Sequence, residues 1–186
     1  WQIGVATRNT GCINSGIIDA NTFNIGAAFA DGVTGIGSQE LCPSECLLKI
    51  ADAVVDNSGP GECNDGLLRP GARLHILTAS DNAELSGIEW DVWLAGFQAG
   101  GYDTVVSTVT SLGSCGLLGT GYIEIAQATG GAVVDLCQPG WDQYIPDSAR
   151  AAGPDPFEVS DATIVPGTLE VKVDGLVMTT GWSFNE

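Results

Sequence analysis

The clearest pattern along the chain is a short apolar run that ends abruptly in polar residues. Arg73-Leu74-His75-Ile76-Leu77-Thr78-Ala79 leads into Ser80-Asp81-Asn82 and comes after a Pro70-Gly71 turn. That length and those flanks predict a buried strand whose carboxyl end delivers Asp81 to a sheet edge, where ligands of open α/β sheets bind. Upstream, Leu47, Leu48, Ile50, Ala51, Val54 and Val55 recur at helical spacing, Pro43 suits a first helical position and Glu45 a first turn. A helix is therefore expected from Cys42 to about Asp56, with turn chemistry after it up to Gly71.

Downstream, Ile88, Trp90, Trp93, Leu94 and Phe97 predict a helix over residues 87–100 that stops at Gly100-Gly101. Residues 102–110 are a β-branched strand, 121–129 a helix closed by Gly130-Gly131, and 132–137 another strand. Residues 139–152 read as a helix interrupted at Pro146. The tail alternates Leu169, Val171 and Val173 with Glu170, Lys172 and Asp174 and turns at Asp174-Gly175, which predicts a β-hairpin. Residues 1–8 have strand character, whereas 9–39, rich in Gly, Asn and Thr, read as loop with one or two short strands. Strands alternating with helices predict an α/β fold: a doubly wound, mostly parallel sheet with helices on both faces, plus a C-terminal β-hairpin. The expected division is residues 1–152 for the α/β domain and 153–186 for the hairpin extension.

Charge narrows the partners. Twenty-three acids against six bases give a formal charge of −17, which disfavours nucleic acid and anionic membrane, both of which need Lys/Arg clusters. Solubility, a saline or calcium-rich medium, or hard-cation sites are all compatible with it. Six cysteines without a paired Cys-x-x-Cys and with a single histidine point to three disulfides in an oxidising compartment rather than to zinc. No signal peptide or bilayer-length apolar run is visible. The chain is accordingly expected to be a mature or excised piece of an exported protein, secreted or at the cell surface.

Catalytic signals are weak. His75 inside a strand reads as structural, and no serine, cysteine or carboxylate pair has an obvious base partner. Gly-x-Ser-x-Gly and a phosphate loop are both absent. Trp90, Trp93 and Trp182 read as packing residues rather than a sugar platform. On one helix face, Cys42 and Cys46 are poorly placed for a mutual bond, so each is expected to reach a loop cysteine, with Cys12 and Cys63 as partners.

Residues 66–81 resemble the fourth-strand region of von Willebrand factor A-type domains of exported bacterial proteins. Tyr122-Ile123-Glu124-Ile125-Ala126-Gln127-Ala128-Thr129-Gly130-Gly131, then Asp135-Leu136-Cys137 and Trp141, are similar to their last helix, last strand and closing helix. Gly167-Thr168-Leu169-Glu170-Val171-Lys172-Val173-Asp174-Gly175 with Gly181-Trp182-Ser183-Phe184 resembles a hairpin often found after such domains, and residues 1–8 their second strand. The resemblance supports a Cys115–Cys137 bridge at one sheet edge. It implies a metal-ion-dependent adhesion site there, with Asp81 as a Ca2+ or Mg2+ ligand and Ser80, Asn82, Thr110 and Ser111 around the bound ligand.

The family's first strand, with its Asp-x-Ser-x-Ser motif, has no counterpart here. Asp56-Asn57-Ser58-Gly59-Pro60 only superficially resembles the motif, because a helix stands before it and a turn-rich loop after it, and it reads as a plain helix end. For Asp81 itself, a carboxylate capping its own loop is the competing reading. In the family that first strand lies between the strands matching residues 1–8 and 74–79, so another polypeptide, a cleaved fragment or a neighbouring subunit, is expected to supply it. The resulting expectation is a non-enzymatic adhesion or extracellular assembly module, binding a protein or other ligand at the sheet's carboxyl edge. The alternative is a structural subunit of an extracellular filament joined by strand donation without a working metal site. A secreted hydrolase or carbohydrate-binding module ranks behind both.

Overall fold

The computed structural model describes residues 1–7, 10–34, 45–151, 153, 171–173 and 176–178. The chain divides into two compact units, Trp1–Gly153 and Pro154–Glu186.

The first unit is α/β and is built on a three-stranded parallel sheet flanked by helices. Its strands are β3 (Arg73–Ser80), β4 (Asp103–Thr110) and β5 (Val133–Asp135), in that spatial order. They are preceded by β1 (Gln2–Ile3), β2 (Ile18–Asp19), α1 (Ile25–Thr34) and α2 (Leu47–Asp56), and interleaved with α3 (Trp90–Ala99) and α4 (Tyr122–Ala128). A 3-10 turn, Trp141–Tyr144, runs directly into α5 (Ile145–Ala151). Pro146 therefore falls in the first turn of α5, where its missing N–H is not needed, rather than interrupting one longer helix.

Register fixes the faces. Leu74 pairs with Thr104, Ile76 with Val106, Thr78 with Thr108 and Ser80 with Thr110, so the even-numbered residues of β3 and β4 share one face. On that face Leu48 of α2, Trp93 and Phe97 of α3, and Tyr122 and Ile125 of α4 close around Val106, with Leu74 and Ile76 packed against them. The expected apolar helix faces thus all reach one core, and Trp90 and Trp93 serve it as packing residues. Two glycines are required by close approach. A Cβ at Gly131 would lie 1.8 Å from the Val106 carbonyl oxygen, and one at Gly119 would lie 2.0 Å from Thr110 Oγ1.

Three expectations are corrected. Of residues 1–8, the described residues 1–7 do not contribute a strand to the main sheet: their one strand is Gln2–Ile3, which pairs antiparallel with Ile18–Asp19 in a ladder of its own. The stretch read as loop contains a helix, α1. Its side-chain N-terminal bond comes from Asn24, whose Oδ1 accepts the Ala27 N–H at 3.2 Å, and its buried residue is Gly32, seated against Val5 and Ser15. Finally, Cys12 is bonded to Cys63 and not to Cys42 or Cys46. Asn64 Oδ1 accepts the Ile13 N–H and Asn64 Nδ2 donates to the Gly11 carbonyl, while Asn57 Nδ2 donates to the Thr10 carbonyl. These bonds lay residues 10–13 across the end of α2, which brings Cys12 to Cys63. Cys46 is disulfide-bonded as well, whereas Cys42 lies outside the described residues. The Cys115–Cys137 bridge is present.

In the second unit β6 (Val171–Val173) pairs antiparallel with β7 (Leu176–Met178). The turn assigned to Asp174-Gly175, the packing role of Trp182 and the helix start at Pro43 lie outside the described residues.

Candidate functional site at the carboxyl end of the sheet

β3 is eight residues long and hydrogen-bonds β4 along one edge. Among the described residues, no strand pairs with its other edge. The strand itself carries no proline, and its charge is confined to Arg73 at its start. Arg73 Nη2 lies 2.6 Å from Asp103 on the paired side, and Arg73 Nη1 donates to the Gly153 carbonyl. Leu77 and Ala79 are exposed on the strand.

An open groove of about 550 Å3 lies at the carboxyl end of β3. Glu45, Leu47 and Ile50 line it from the start of α2, Ala79, Ser80 and Asp81 from β3, and Val109, Leu136 and Trp141 from the neighbouring strands and turn. Thr7, from the amino-terminal segment, completes it. Of the residues singled out from the sequence, the structure brings Ser80 and Asp81 to this groove. Asp81 is exposed, and among the described residues its carboxylate has no hydrogen-bond or ion-pair partner. Ser80 Oγ accepts the Asn82 N–H at 3.2 Å, and Asn82 Oδ1 accepts the Ala83 N–H at 3.0 Å, so both side chains brace their own turn.

Thr110 and Ser111 are placed differently. Both are fully buried beneath residues 112–119. The Gly119 N–H donates to the Ser111 carbonyl at 2.9 Å, Ser111 Oγ accepts the Gly113 N–H at 3.0 Å, and the Cys115–Cys137 bond ties the loop down. Gly116 sits against the Asp81 carbonyl, where a Cβ would come within 2.5 Å. The Ser111 hydroxyl therefore supports the loop, and the Thr110 hydroxyl, buried without a hydrogen-bond partner among the described residues, is covered by it rather than lining the groove.

The implied Ca2+ or Mg2+ ion needs about six or more oxygens around it. Among the described residues no group of three His, Cys, Asp or Glu side chains is placed to hold a metal. With Ser80 and Asn82 engaged locally and Thr110 and Ser111 covered, the described residues alone do not fit a complete cation site. Asp56-Asn57-Ser58 is a helix end: the Asn57 N–H donates to the Ala53 carbonyl and Ser58 Oγ to the Val54 carbonyl.

Two arrangements here escape a sequence reading. Glu84, from the turn after β3, accepts the Leu48 N–H at 2.9 Å through Oε2, and the Tyr122 hydroxyl accepts the Leu47 N–H at 3.0 Å. Distant side chains thus cap α2, whose own N-cap, Cys46, makes no side-chain capping hydrogen bond. Burial, with the Glu84 carboxylate adding to it, pushes the Tyr122 hydroxyl pKa up strongly, so it stays neutral and able to donate. The other is a serine–histidine contact. His75 Nε2 lies 3.0 Å from Ser107 Oγ, a partner not visible before the β3–β4 register is known. Ser107 is fully buried, and its Oγ also accepts the Ala132 N–H at 3.1 Å, so the pair clasps the sheet. Burial lowers the His75 pKa.

Comparison of the chain with family models, with characterised proteins and with solved structures found no match. Among the described residues no helix is long and apolar enough to cross a membrane, and the two described disulfides are compatible with an oxidising, extracellular setting.

Proposed function

We propose that this protein is an extracellular adhesion or assembly module, not an enzyme, which takes an extended segment of a partner polypeptide onto the free edge of β3. The observation that carries this reading is the eight-residue length of β3 with, among the described residues, a strand partner on one side only. A free strand edge offers a row of N–H and C=O groups to an added strand, and alternate side chains of that strand supply specificity. Addition there would extend the sheet toward the doubly wound arrangement expected from the sequence.

The partner is of opposite or neutral charge. Two copies of a chain at −17 repel one another, which disfavours pairing between identical β3 edges. Asp81 stands at the mouth of the groove, where it meets the residues flanking the bound strand at that end. A Ca2+ or Mg2+ ion enters this reading only as a counter-ion of Asp81, completed by oxygens that the partner brings.

Tethering tests the proposal. An eight-residue Val/Thr/Ile strand joined to Trp1 by a long Gly/Ser linker presents itself to the β3 edge at millimolar effective concentration. The expected result is a higher Tm and slowed amide exchange in β3 relative to the linker alone. An unchanged Tm together with unchanged exchange overturns strand acceptance. Concentration-dependent polymerisation of the unextended chain would instead assign the edge to a second copy and overturn the partner proposed.

A further inference from the structure

We infer that the Cys115–Cys137 bond is an exchangeable latch: a dithiol reductant attacks Cys115, Cys137 departs as a thiolate beside the Ser111 hydroxyl, and residues 112–118 lift off the carboxyl end of β4. It is a modification site apart from the β3 edge and stands whether or not that edge accepts a strand.

Access and anchoring single out this bond. Cys115 is exposed and Cys137 half-buried, and Leu112, Leu117 and Leu118 face solvent as well, so apolar burial does little to hold the loop. Among the described residues its hydrogen bonds lie at its two ends, where the Gly113 N–H donates to Ser111 Oγ and the Gly119 N–H to the Ser111 carbonyl. Between them the covalent tie to Cys137 holds it. The closed loop also buries Thr110 Oγ1, which has no hydrogen-bond partner among the described residues, and opening to water relieves that penalty. Cys12–Cys63 differs although Cys63 is exposed too. Glu62 and Asp65 flank Cys63 in the chain and repel an incoming thiolate. Asn64 accepts the Ile13 N–H and donates to the Gly11 carbonyl, so it keeps Cys12 beside Cys63 even when their bond is cut. Cys46, only 1% exposed, is out of reach.

Ser111 sets the direction of attack. Its Oγ lies 3.4 Å from Cys137 Sγ. A disulfide sulfur carries no proton, so the hydroxyl is the donor in this contact, while the same oxygen accepts the Gly113 N–H. A sulfur leaves faster the better its thiolate is stabilised, and a hydrogen bond strengthens when its acceptor becomes charged. Cys115 has no such donor among the described residues. The first thiolate of the reductant therefore bonds to Cys115 Sγ, and the electron pair of the breaking bond passes to Cys137. The second thiolate of the reductant then displaces Cys115. Both cysteines end as thiols with the protons of the reductant, and the reductant ends as a disulfide. A neutral or cationic dithiol is favoured, because a chain at −17 repels an anionic one.

Reduction of the full chain under native conditions tests the latch. With limiting dithiothreitol and iodoacetamide trapping, peptide mapping should find Cys115 and Cys137 alkylated before any other cysteine. Earlier or simultaneous alkylation of Cys12, Cys63 or Cys46 overturns the latch. Cysteamine, a cationic monothiol, should be caught early as a mixed disulfide on Cys115 with Cys137 alkylated; the reverse pattern overturns the direction assigned to Ser111. In the double variant Cys115→Ser/Cys137→Ser, the Gly113 and Gly119 amides should exchange roughly tenfold or more faster than in the oxidised protein, while the β3–β4 ladder stays protected. Unchanged exchange at Gly113 and Gly119 shows a loop held without the bond. Loss of protection throughout β3 and β4 shows a staple of the whole fold. Either result overturns the latch.

Discussion

Glu84 accepts the backbone N–H of Leu48 across 36 residues of sequence, joining the turn after β3 to the first turn of α2. The same turn is held to the segment before α2 by the Leu85 N–H, which donates to the Glu45 carbonyl at 2.7 Å. One wall of the groove is thereby anchored to the strand that forms its floor.

Removing that anchor should be costly. Glu84→Ala is expected to lower stability by about 2 kcal/mol, because it strips a charged acceptor from a helix N-terminus. Tyr122→Phe should cost about 1 kcal/mol through loss of the Leu47 contact. Urea denaturation measures both, and the double variant should deviate from additivity, since the two side chains touch the same turn.

Asp52 supplies a test with the opposite sign. Burial, with the neighbouring Asp56 charge adding to it, raises its pKa above the ordinary value of 3.8. A carboxyl group whose pKa is raised on folding costs stability at every pH where it is ionised. Asp52→Asn should therefore raise Tm at pH 7, and the gain should fade as pH falls through the raised pKa and vanish below 3.8. Thermal melts of both proteins from acid to neutral pH check this.

His75 gives a second pH signature. Its pKa is lowered from 6.5 by burial, so the unfolded chain binds the proton more readily. Stability should fall as pH drops below about 6.5 and level off below the folded pKa. His75→Gln should abolish that component, read as the difference between the two melting profiles over the same range.

Gly131→Ala is expected to prevent β5 from seating against β4, since the added methyl group meets the Val106 carbonyl. A loss above about 3 kcal/mol, in the range of severe steric substitutions, should appear in denaturant melts. Gly71→Ala provides the contrast. Nothing lies within 4 Å of its Cβ position, although its φ of +72° still imposes a smaller backbone cost.

Much of the central architecture was legible in the sequence for identifiable reasons. β3 and β4 carry uninterrupted β-branched and apolar runs, and α2, α3 and α4 place apolar residues at helical spacing and end near Gly or Asn. α1 was not legible because its pattern is inverted. Phe23, Ile25, Phe29 and Val33 are exposed, and it is Gly32 that is buried. Residues 1–8 alternate like a strand, yet the local alternation says nothing about which strand they meet. At the site, the position of Asp81 could be read from the end of an apolar run. The burial of Thr110 and Ser111 could not, because it depends on a loop folded back by Gly119 and a disulfide. Cys12 finds Cys63 through hydrogen bonds from Asn57 and Asn64, contacts between residues some fifty positions apart.

Site-resolved hydrogen exchange on the unextended chain tests the open edge most directly. An edge free to accept a strand predicts that alternate amides of β3, those facing away from β4, exchange rapidly while the intervening amides and the amides of β4 facing β3 remain protected. Uniform protection along β3 would show that its outer edge is already satisfied, and would contradict strand acceptance.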